Sequence, residues 1–489
     1  MKKFKEHKTL NLPQIDEEIL KFWKAEKVFE KSISEREGSP QFVFYEGPPS
    51  ANGMPGIHHV MARAIKDLFC RYKTLKGFQV KRKGGWDTHG LPVELQVEKK
   101  LGITKEDIGK TVSIEEYNII CREEVMKFTS AWDDLTEKMG YWVDLEHPYI
   151  TFENNYIETL WWILKSLFEK GLLYEGFTIQ PYSPAAGTGL SSHELNLPGC
   201  YRPIKDTTIV AQFKVSEQSK NITQKLTGSG DDVYLLAWTT TPWTLPANSA
   251  LAVGEKITYI AVKTFNVYTS KQVTVILAKE LLNKYFPEKN AELKFEEYKE
   301  GDKAIPFKVL SEFKGKDLEG IHYEQLLPYI KPTGKAFEVI IGDFISTEDG
   351  TGIVHISPTF GADDFRVAKM NFISSILVKG KPVVDERGRF VEEITDFGGE
   401  YVKEEYLTEE EKEAEKKKQG GTKYLSVDER ISIKLKKENK AFKVEKYEHN
   451  YPHCWRTDKP IIYYPLRSWF IQTTAAKEKL IELNKTINW

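Results

Sequence analysis

From Pro13 onward, apolar residues recur at helical spacing. Ile15, Ile19, Phe22, Trp23 and Phe29 predict a helix over 13–31, with Pro13 suited to the first helical position. Gln41-Phe42-Val43-Phe44-Tyr45-Glu46 then reads as a short buried strand. Gly47-Pro48-Pro49 stops it, because proline cannot donate to a ladder. A loop over 50–56 leads into a predicted helix at about 58–76. Its apolar stripe is Val60, Ala64, Leu68, Tyr72 and Leu75, and Gly77 is a natural C-terminal stop. Strand, Gly/Pro-rich turn and helix in that order suit the nucleotide-binding half of a doubly wound α/β sheet. Helical patterns dominate 113–170, where 156–170 ends at Gly171.

Near residue 201 the texture changes. The runs 207–215, 233–238, 259–263 and 273–278 are short and β-rich, between Gly, Asn and Pro signals. This continues to about Tyr401 and predicts a mostly β domain inserted into the first. The stretch 408–419, dense in Glu and Lys, reads as a solvated helix or loop, and apolar residues return at 449–475. No internal repeat is visible.

Composition narrows the classes. A length of 489 residues allows about three domains. The 70 basic and 72 acidic residues leave a net charge of −2, so any basic surface for nucleic acid must be local. No apolar run approaches the ~18 residues of a membrane span, and the charged start at 1–8 has no apolar segment behind it, so neither a membrane protein nor a secretory leader is expected. Cys70, Cys121, Cys200 and Cys454 lie far apart and form no CxxC pair, which fits a reducing cytoplasm.

Two blocks carry chemistry in the first half. One is Gly47-Pro48-Pro49-Ser50-Ala51-Asn52-Gly53-Met54-Pro55-Gly56-Ile57-His58-His59, and the other is Gly85-Trp86-Asp87-Thr88-His89-Gly90-Leu91-Pro92-Val93-Glu94. A helix N-terminus offers unpaired N–H groups and a positive dipole end, which suits phosphate, and histidines there can donate as charge moves. Asp87 could bind an ammonium group, and Trp86 and Pro48 could wall an apolar pocket.

Together the blocks resemble those of class I aminoacyl-tRNA synthetases, in particular the isoleucyl family. The resemblance implies a Rossmann-type catalytic domain interrupted by a β-rich editing domain. It implies that Pro48, Trp86 and Trp469 line the isoleucine side-chain pocket, that Asp87 holds the α-amino group, and that Gly56, His58 and His59 serve ATP. The family signature His-Ile-Gly-His reads Gly-Ile-His-His at 56–59, with its first and third residues exchanged. Some isoleucyl enzymes of the eukaryote-like type look like this. With the exchange, ATP is expected to bind, while inhibitors spanning the adenine and isoleucine pockets, such as mupirocin, are expected to bind poorly because His58 crowds the shared floor.

In the β-rich region, Trp238-Thr239-Thr240-Thr241-Pro242-Trp243-Thr244-Leu245-Pro246-Ala247-Asn248 offers hydroxyls at a strand end. Gly350-Thr351-Gly352-Ile353-Val354-His355-Ile356-Ser357-Pro358-Thr359-Phe360-Gly361-Ala362-Asp363-Asp364-Phe365 adds a histidine and carboxylates. Hydroxyls can position a water and an ester, and a carboxylate can fix a free amino group. Both segments resemble the editing domain of isoleucyl, valyl and leucyl synthetases. By that resemblance Asp364 binds the amino group of a mischarged aminoacyl end, and Thr239, Thr240, Thr241, Thr244, Asn248 and His355 shape the hydrolytic pocket. One methylene in an apolar pocket is worth only ~1–3 kcal/mol, so a second, hydrolytic sieve is needed against valine; isoleucyl discrimination is itself the standard example. Water is the expected nucleophile, since no Ser–His–Asp or Cys–His set is indicated.

Many relatives carry Cys-x-x-Cys at two places where this chain has Ser183, Ala186, Cys454 and Thr457, so zinc is not expected. The basic residues Arg71, Lys73, Lys76, Lys81, Arg82 and Lys83 read either as a phosphate contact or as a solvated face. No Lys-Met-Ser-Lys-Ser loop is found; Lys369-Met370-Asn371 is a partial echo only. A helical anticodon-binding domain is also absent, so an expressed fragment or an incomplete gene product is expected. The expected plan is an N-terminal helical extension over 1–45, the first part of the catalytic domain over 46–200, an editing domain over 201–401, and a return segment over 402–489. The implied activity is ATP-dependent attachment of isoleucine to tRNA(Ile), with Mg2+ accompanying ATP, by a cytoplasmic monomer that also hydrolyses Val-tRNA(Ile). The portion shown is expected not to activate isoleucine alone and to hydrolyse Val-tRNA(Ile) weakly, if at all. A stand-alone editing hydrolase is the alternative.

Overall fold

A computed structural model describes residues 9–487. The charged start at 1–8 and the last two residues lie outside the described residues. The chain forms two compact units. One runs to Tyr174 and resumes at Ile471, and the other is Glu175–Phe470. The second unit is wider than the β insert expected over 201–401. No helix among the described residues is long and apolar enough to cross a membrane.

The first unit is built on a parallel three-stranded sheet, β1 (Gln41–Tyr45), β2 (Gln79–Trp86) and β3 (Asp144–Ile150), in the order β1-β2-β3. The expected helix over 13–31 is two helices, α1 (Leu12–Glu26) and α2 (Val28–Ser34). They break at Lys27, whose left-handed backbone (φ 51°) hands its N–H back to Lys24 and Trp23 carbonyls. Trp23 and Phe29 from the two helices both reach the Trp142 ring.

Helix α3 (Ile57–Leu75) crosses from β1 to β2 and stops at Gly77 (φ 88°), as its pattern predicts. Its buried face is not the predicted one. Leu68, Tyr72 and Leu75 are exposed, while Arg63, Cys70 and Thr74 are buried. The cause is a polar anchor on β2. Buried Arg82 binds Asp67 Oδ1 (3.1 Å), Thr74 Oγ1 (2.9 Å) and the Trp142 carbonyl (3.2 Å), which turns the Asp67/Thr74 side of α3 inward. Arg71 pairs with Asp67 and stacks on Trp142 at 4.0 Å. Arg71 and Arg82, two members of the basic run, are thus engaged in holding the unit together. Helices α4 (Leu91–Leu101), α5 (Ile114–Val125), α6 (Thr129–Lys138) and α7 (Asn154–Glu169) complete the layer.

The second unit has twelve strands: β4 (Leu173–Ser183, beginning two residues before it), β5 (Thr188–Gly189), β6 (Tyr201–Lys214), β7 (Val233–Thr239), β8 (Ala250–Val253), β9 (Thr258–Phe265), β10 (Gln272–Ala278), β11 (Lys308–Lys314), β12 (Glu338–Ile341), β13 (Ile353–Ile356), β14 (Ala441–Pro452) and β15 (Ile462–Ile471, ending one residue beyond it). Its main sheet has the order β11-β9-β10-β7-β6-β14. The four predicted β runs lie on β6, β7, β9 and β10. Side chains alternate between two cores: Ile209, Ala211, Phe213, Leu235, Ala237, Tyr259 and Ile276 face one, and Val210, Leu236, Ile260, Val275 and Leu277 face the other. Burial on both faces explains why these runs look continuously apolar. Each fully buried Leu, Ile or Phe contributes about 1.5–3 kcal/mol. Strand β14 pairs along β6 from Ala441 to Pro452, which places these late residues in the second unit. The Glu/Lys-rich stretch is a helix, Glu409–Lys418, opened by a Thr408/Glu411 capping box.

Candidate functional site

In the first unit, the two motif blocks meet at the carboxyl end of the parallel sheet. The Asp87 N–H bonds the Pro49 carbonyl (3.0 Å), and Trp86 is buried with Ala51 and Trp132. Thr88 N and His89 Nδ1 both lie 3.0 Å from Thr151 Oγ1. Gly85 carries no side chain because Tyr149 occupies the space: a Cβ there would lie 2.4 Å from its ring.

Gly56 caps α3 and donates its N–H to His59 Nδ1 at 2.9 Å. The His59 ring lies 4.6 Å from Trp132, whose Nε1–H holds the Gly53 carbonyl at 2.8 Å. Partial burial and the neighbouring His58 and Arg63 lower the His59 pKa. The His58 ring folds back over Gly56, where a Cβ would meet it at 2.9 Å. Position 58 therefore fills the space beside position 56. Pro48, Trp86 and Asp87 share this end of the sheet. Trp469 lies in the second unit, on β15, with 60% of its surface exposed.

In the second unit, β7 ends at Thr239 and the chain turns through a 3₁₀ segment, Pro242–Ala247. This curls the threonines into a row. Thr239 Oγ1 lies 3.2 Å from Thr241 Oγ1, which lies 3.4 Å from Thr244 Oγ1. His355 stands on β13, opposite Leu251 of β8, with Nε2 2.9 Å from Thr244 Oγ1. The Thr244 hydroxyl donates its one proton to the Thr241 carbonyl (2.8 Å), so Nε2–H of His355 must donate to Thr244. The other ring nitrogen, Nδ1, then accepts from Asn248 Nδ2, at a long 3.5 Å. Asn248 is oriented by Tyr323, whose hydroxyl donates to Oδ1 at 2.8 Å, and by the Ala250 carbonyl. Burial lowers the His355 pKa to about 4. It is a neutral ring with both nitrogens occupied, suited to fixing Thr244 rather than to taking a proton. Thr240 is half-buried beside this row.

The approach to His355 is set by Gly350-Thr351-Gly352. Gly352 has φ 75° and packs so close to Ala278 that a Cβ would meet the Ala278 Cβ at 2.4 Å, while Thr351 Oγ1 bonds the Leu236 carbonyl at 2.7 Å. Beyond β13, the Ser357 N–H donates to Asp364 Oδ2 at 2.8 Å. Asp364 stands in the first turn of helix Ala362–Met370, where the dipole favours an anion. Desolvation outweighs this and raises its pKa to about 7, although part of the residue reaches solvent. A cation in reach would draw this carboxyl into its ionised form. Trp243 and Phe360 stack edge to face at 5.1 Å and join the threonine turn to the Asp364 loop. Motif reading singled out the threonines, His355 and Asp364, and Thr239, Thr241, Thr244 and His355 stand in one polar row. It missed Tyr323, which is far off in sequence, and Gly361, whose lack of a side chain leaves room for the Asp364 carboxyl.

Ser183 and Ala186 form a tight turn, and Cys454 turns back on Thr457 and Asp458. His449 lies on β14 beside Asp206, and His453, just past the strand's end, lies on the Tyr451 carbonyl. Among the described residues, no group of three His, Cys, Asp or Glu is placed to hold a metal ion.

Residues 18–489 match the family model described as tRNA synthetases class I (I, L, M and V). The chain is 68% identical to an isoleucine–tRNA ligase of Cytophaga hutchinsonii over all of its own length and 44% of the relative's. It is 59% identical to one of Bacteroides fragilis (100% and 43%) and 40% identical to one of Clostridium novyi (98% and 40%). The chain thus spans less than half the length of the curated relatives it matches. A leucyl synthetase–tRNA complex from Agrobacterium radiobacter aligns over 56% of this chain and 40% of that one, at 15% identity and a TM-score of 0.29, too low to bear on the argument. With the match to the family model running from residue 18 to 489, the chain belongs to the class I tRNA synthetases.

Proposed function

We propose that the protein is an isoleucine–tRNA ligase and that this chain supplies the first part of its synthetic site together with an editing pocket for Val-tRNA(Ile). The observation that carries the editing half is the polar row from Thr239 through Thr241 and Thr244 to His355, with Asp364 on the adjoining loop. Asp364 holds the α-ammonium of the mischarged residue. The threonine hydroxyls position the ester and a water, while neutral His355 keeps Thr244 in place. Rate comes from alignment and preset dipoles, with no covalent intermediate on the protein.

In the synthetic half, Pro48 and Trp86 wall the isoleucine side chain, and Asp87 takes its ammonium. Gly56, His58 and His59 at the start of α3 serve ATP, which arrives with Mg2+. The isoleucine carboxylate attacks the α-phosphate, pyrophosphate leaves, and the terminal ribose of tRNA(Ile) then takes the aminoacyl group and releases AMP. The protein works as a monomer in the cytoplasm.

The test pairs two assays. Isoleucine-dependent ATP–pyrophosphate exchange should be present in the whole protein and lost on Asp87→Ala. Deacylation of Val-tRNA(Ile) should be lost on Asp364→Ala. Exchange absent while deacylation persists would replace this reading with a stand-alone editing hydrolase.

A further inference from the structure

The 3₁₀ segment Pro242–Ala247 opens on Thr241, a residue type that ordinarily caps such a start with its own hydroxyl. Thr241 makes no side-chain cap bond; its Oγ1 stands in the threonine row instead. Pro242 has no N–H, so the first donor in need of a partner is the N–H of Trp243, a residue only 2% exposed. That donor is taken by Asp428 Oδ1 at 2.7 Å, from helix Val427–Lys437, 185 residues further along the chain.

Asp428 is 6% exposed and rigidly held. Ser426 and Glu429 close a capping box at the start of its helix, and Ser432 Oγ bonds its carbonyl. Lys403, itself 3% exposed, pairs with Asp206 at 3.0 Å and lies over the Tyr451 ring at 4.4 Å. His449 Nε2 lies 3.2 Å from the same Asp206 oxygen. Burial raises the Asp428 carboxyl to about 7, while the nearby Lys403 pulls it down. An acid buried at that cost, with a backbone N–H of the pocket turn as its partner, is placed for that partner.

We propose that Asp428 is a positioning residue of the editing pocket: it caps the 242–247 turn from outside and so leaves the Thr241 hydroxyl free for the threonine row. This rests on the editing reading given above. Without Asp428, the Trp243 N–H would fall to the residue type that ordinarily caps such a turn, and the Thr241 hydroxyl would leave the row to serve as that cap.

The test uses the 489-residue chain, with Asp428→Ala, Asp428→Asn and Thr241→Val. Hydrogen exchange over 240–248 is followed by mass spectrometry beside deacylation of Val-tRNA(Ile). Asp428→Ala should speed exchange over 240–248 by about ten-fold or more and leave β9 and β10 unchanged. Asp428→Asn keeps an acceptor oxygen and should restore protection. Thr241→Val should leave protection intact, because Thr241 is not the cap, and this variant decides the matter even if Asp428→Ala fails to fold. In deacylation, Asp428→Ala should lower kcat by about ten-fold with KM held within about two-fold, and Asn should rescue. Unchanged exchange in Asp428→Ala, or loss of protection in Thr241→Val, overturns the proposal. Exchange as expected with no deacylation by the unmutated whole protein would instead overturn the editing reading.

Discussion

Replacing Gly361 by alanine perturbs the Asp364 pocket without removing any group from it. Gly361 has φ −145° and ψ 133°, an extended conformation open to any L residue, so backbone strain does not enter. A Cβ there would lie 2.7 Å from Asp364 Cγ and 2.9 and 3.0 Å from its two oxygens, where ordinary contact begins at 3.4 Å. The carboxyl must retreat by about 0.7 Å, and a retreat along the bond from the Ser357 N–H would stretch it to about 3.5 Å and weaken it sharply. At pH 8, where this carboxyl is ionised, a hydrogen bond to a charged group contributes about 1.5–3 kcal/mol. Alanine is also a poorer helix cap than glycine, but that cost is common to any background and cancels in a double-mutant cycle. With Asp364→Ala already in place, the new methyl finds no carboxyl to displace. Urea unfolding of the four proteins should therefore give a coupling energy of about 1.5–3 kcal/mol between positions 361 and 364. Deacylation of Val-tRNA(Ile) by Gly361→Ala should fall at least about ten-fold, since the carboxylate leaves its place for the ammonium. The same destabilisation by Gly361→Ala in both backgrounds would refute the reasoning.

Three further outcomes follow from the geometry. The folded pKa of Asp364 is raised to about 7 from the usual 3.8, so the wild type loses stability as pH rises through that window. Asp364→Asn should thus stabilise at pH 8 and be near neutral at pH 4, and equal shifts at the two pH values would remove the assigned environment. His355 is lowered to about 4 from 6.5, so its contribution is present above 6.5 and lost as pH falls toward 4; His355→Asn should flatten that acid slope in urea midpoints, and an unaltered slope would contradict the buried neutral ring. Because His58 occupies the space beside Gly56, Gly56→His alone should be poorly tolerated. Gly56→His with His58→Gly should fold and increase mupirocin sensitivity in the whole protein, an idea that an unchanged inhibition constant would sink.

Much of this was legible in the sequence where local rules and tertiary demands agree. Gly77 and Gly171 end helices as their positions suggest, and the apolar runs of β7, β9 and β10 are strands because both faces are buried. Reading failed where a distant partner decides. The apolar stripe of α3 lies outward because buried Arg82 draws Asp67 and Thr74 toward the sheet, and nothing within 57–75 announces that partner. The helix over 13–31 breaks at Lys27 with no Gly or Pro to mark it. In the pocket, the threonines, His355 and Asp364 stand in recognisable motifs. Tyr323 and Asp428 reach it only through long-range hydrogen bonds, to Asn248 and Trp243, which no spacing rule encodes.

The central claim is that the second unit recognises a valyl, but not an isoleucyl, ester on a terminal adenosine. The most direct measurement is calorimetric binding of non-hydrolysable valyl- and isoleucyl-adenosine amides to the 489-residue chain and its Asp364→Ala variant. The account predicts binding of the valyl compound alone, abolished in the variant. Equal binding of both compounds, or valyl binding unaffected by Asp364→Ala, would contradict it.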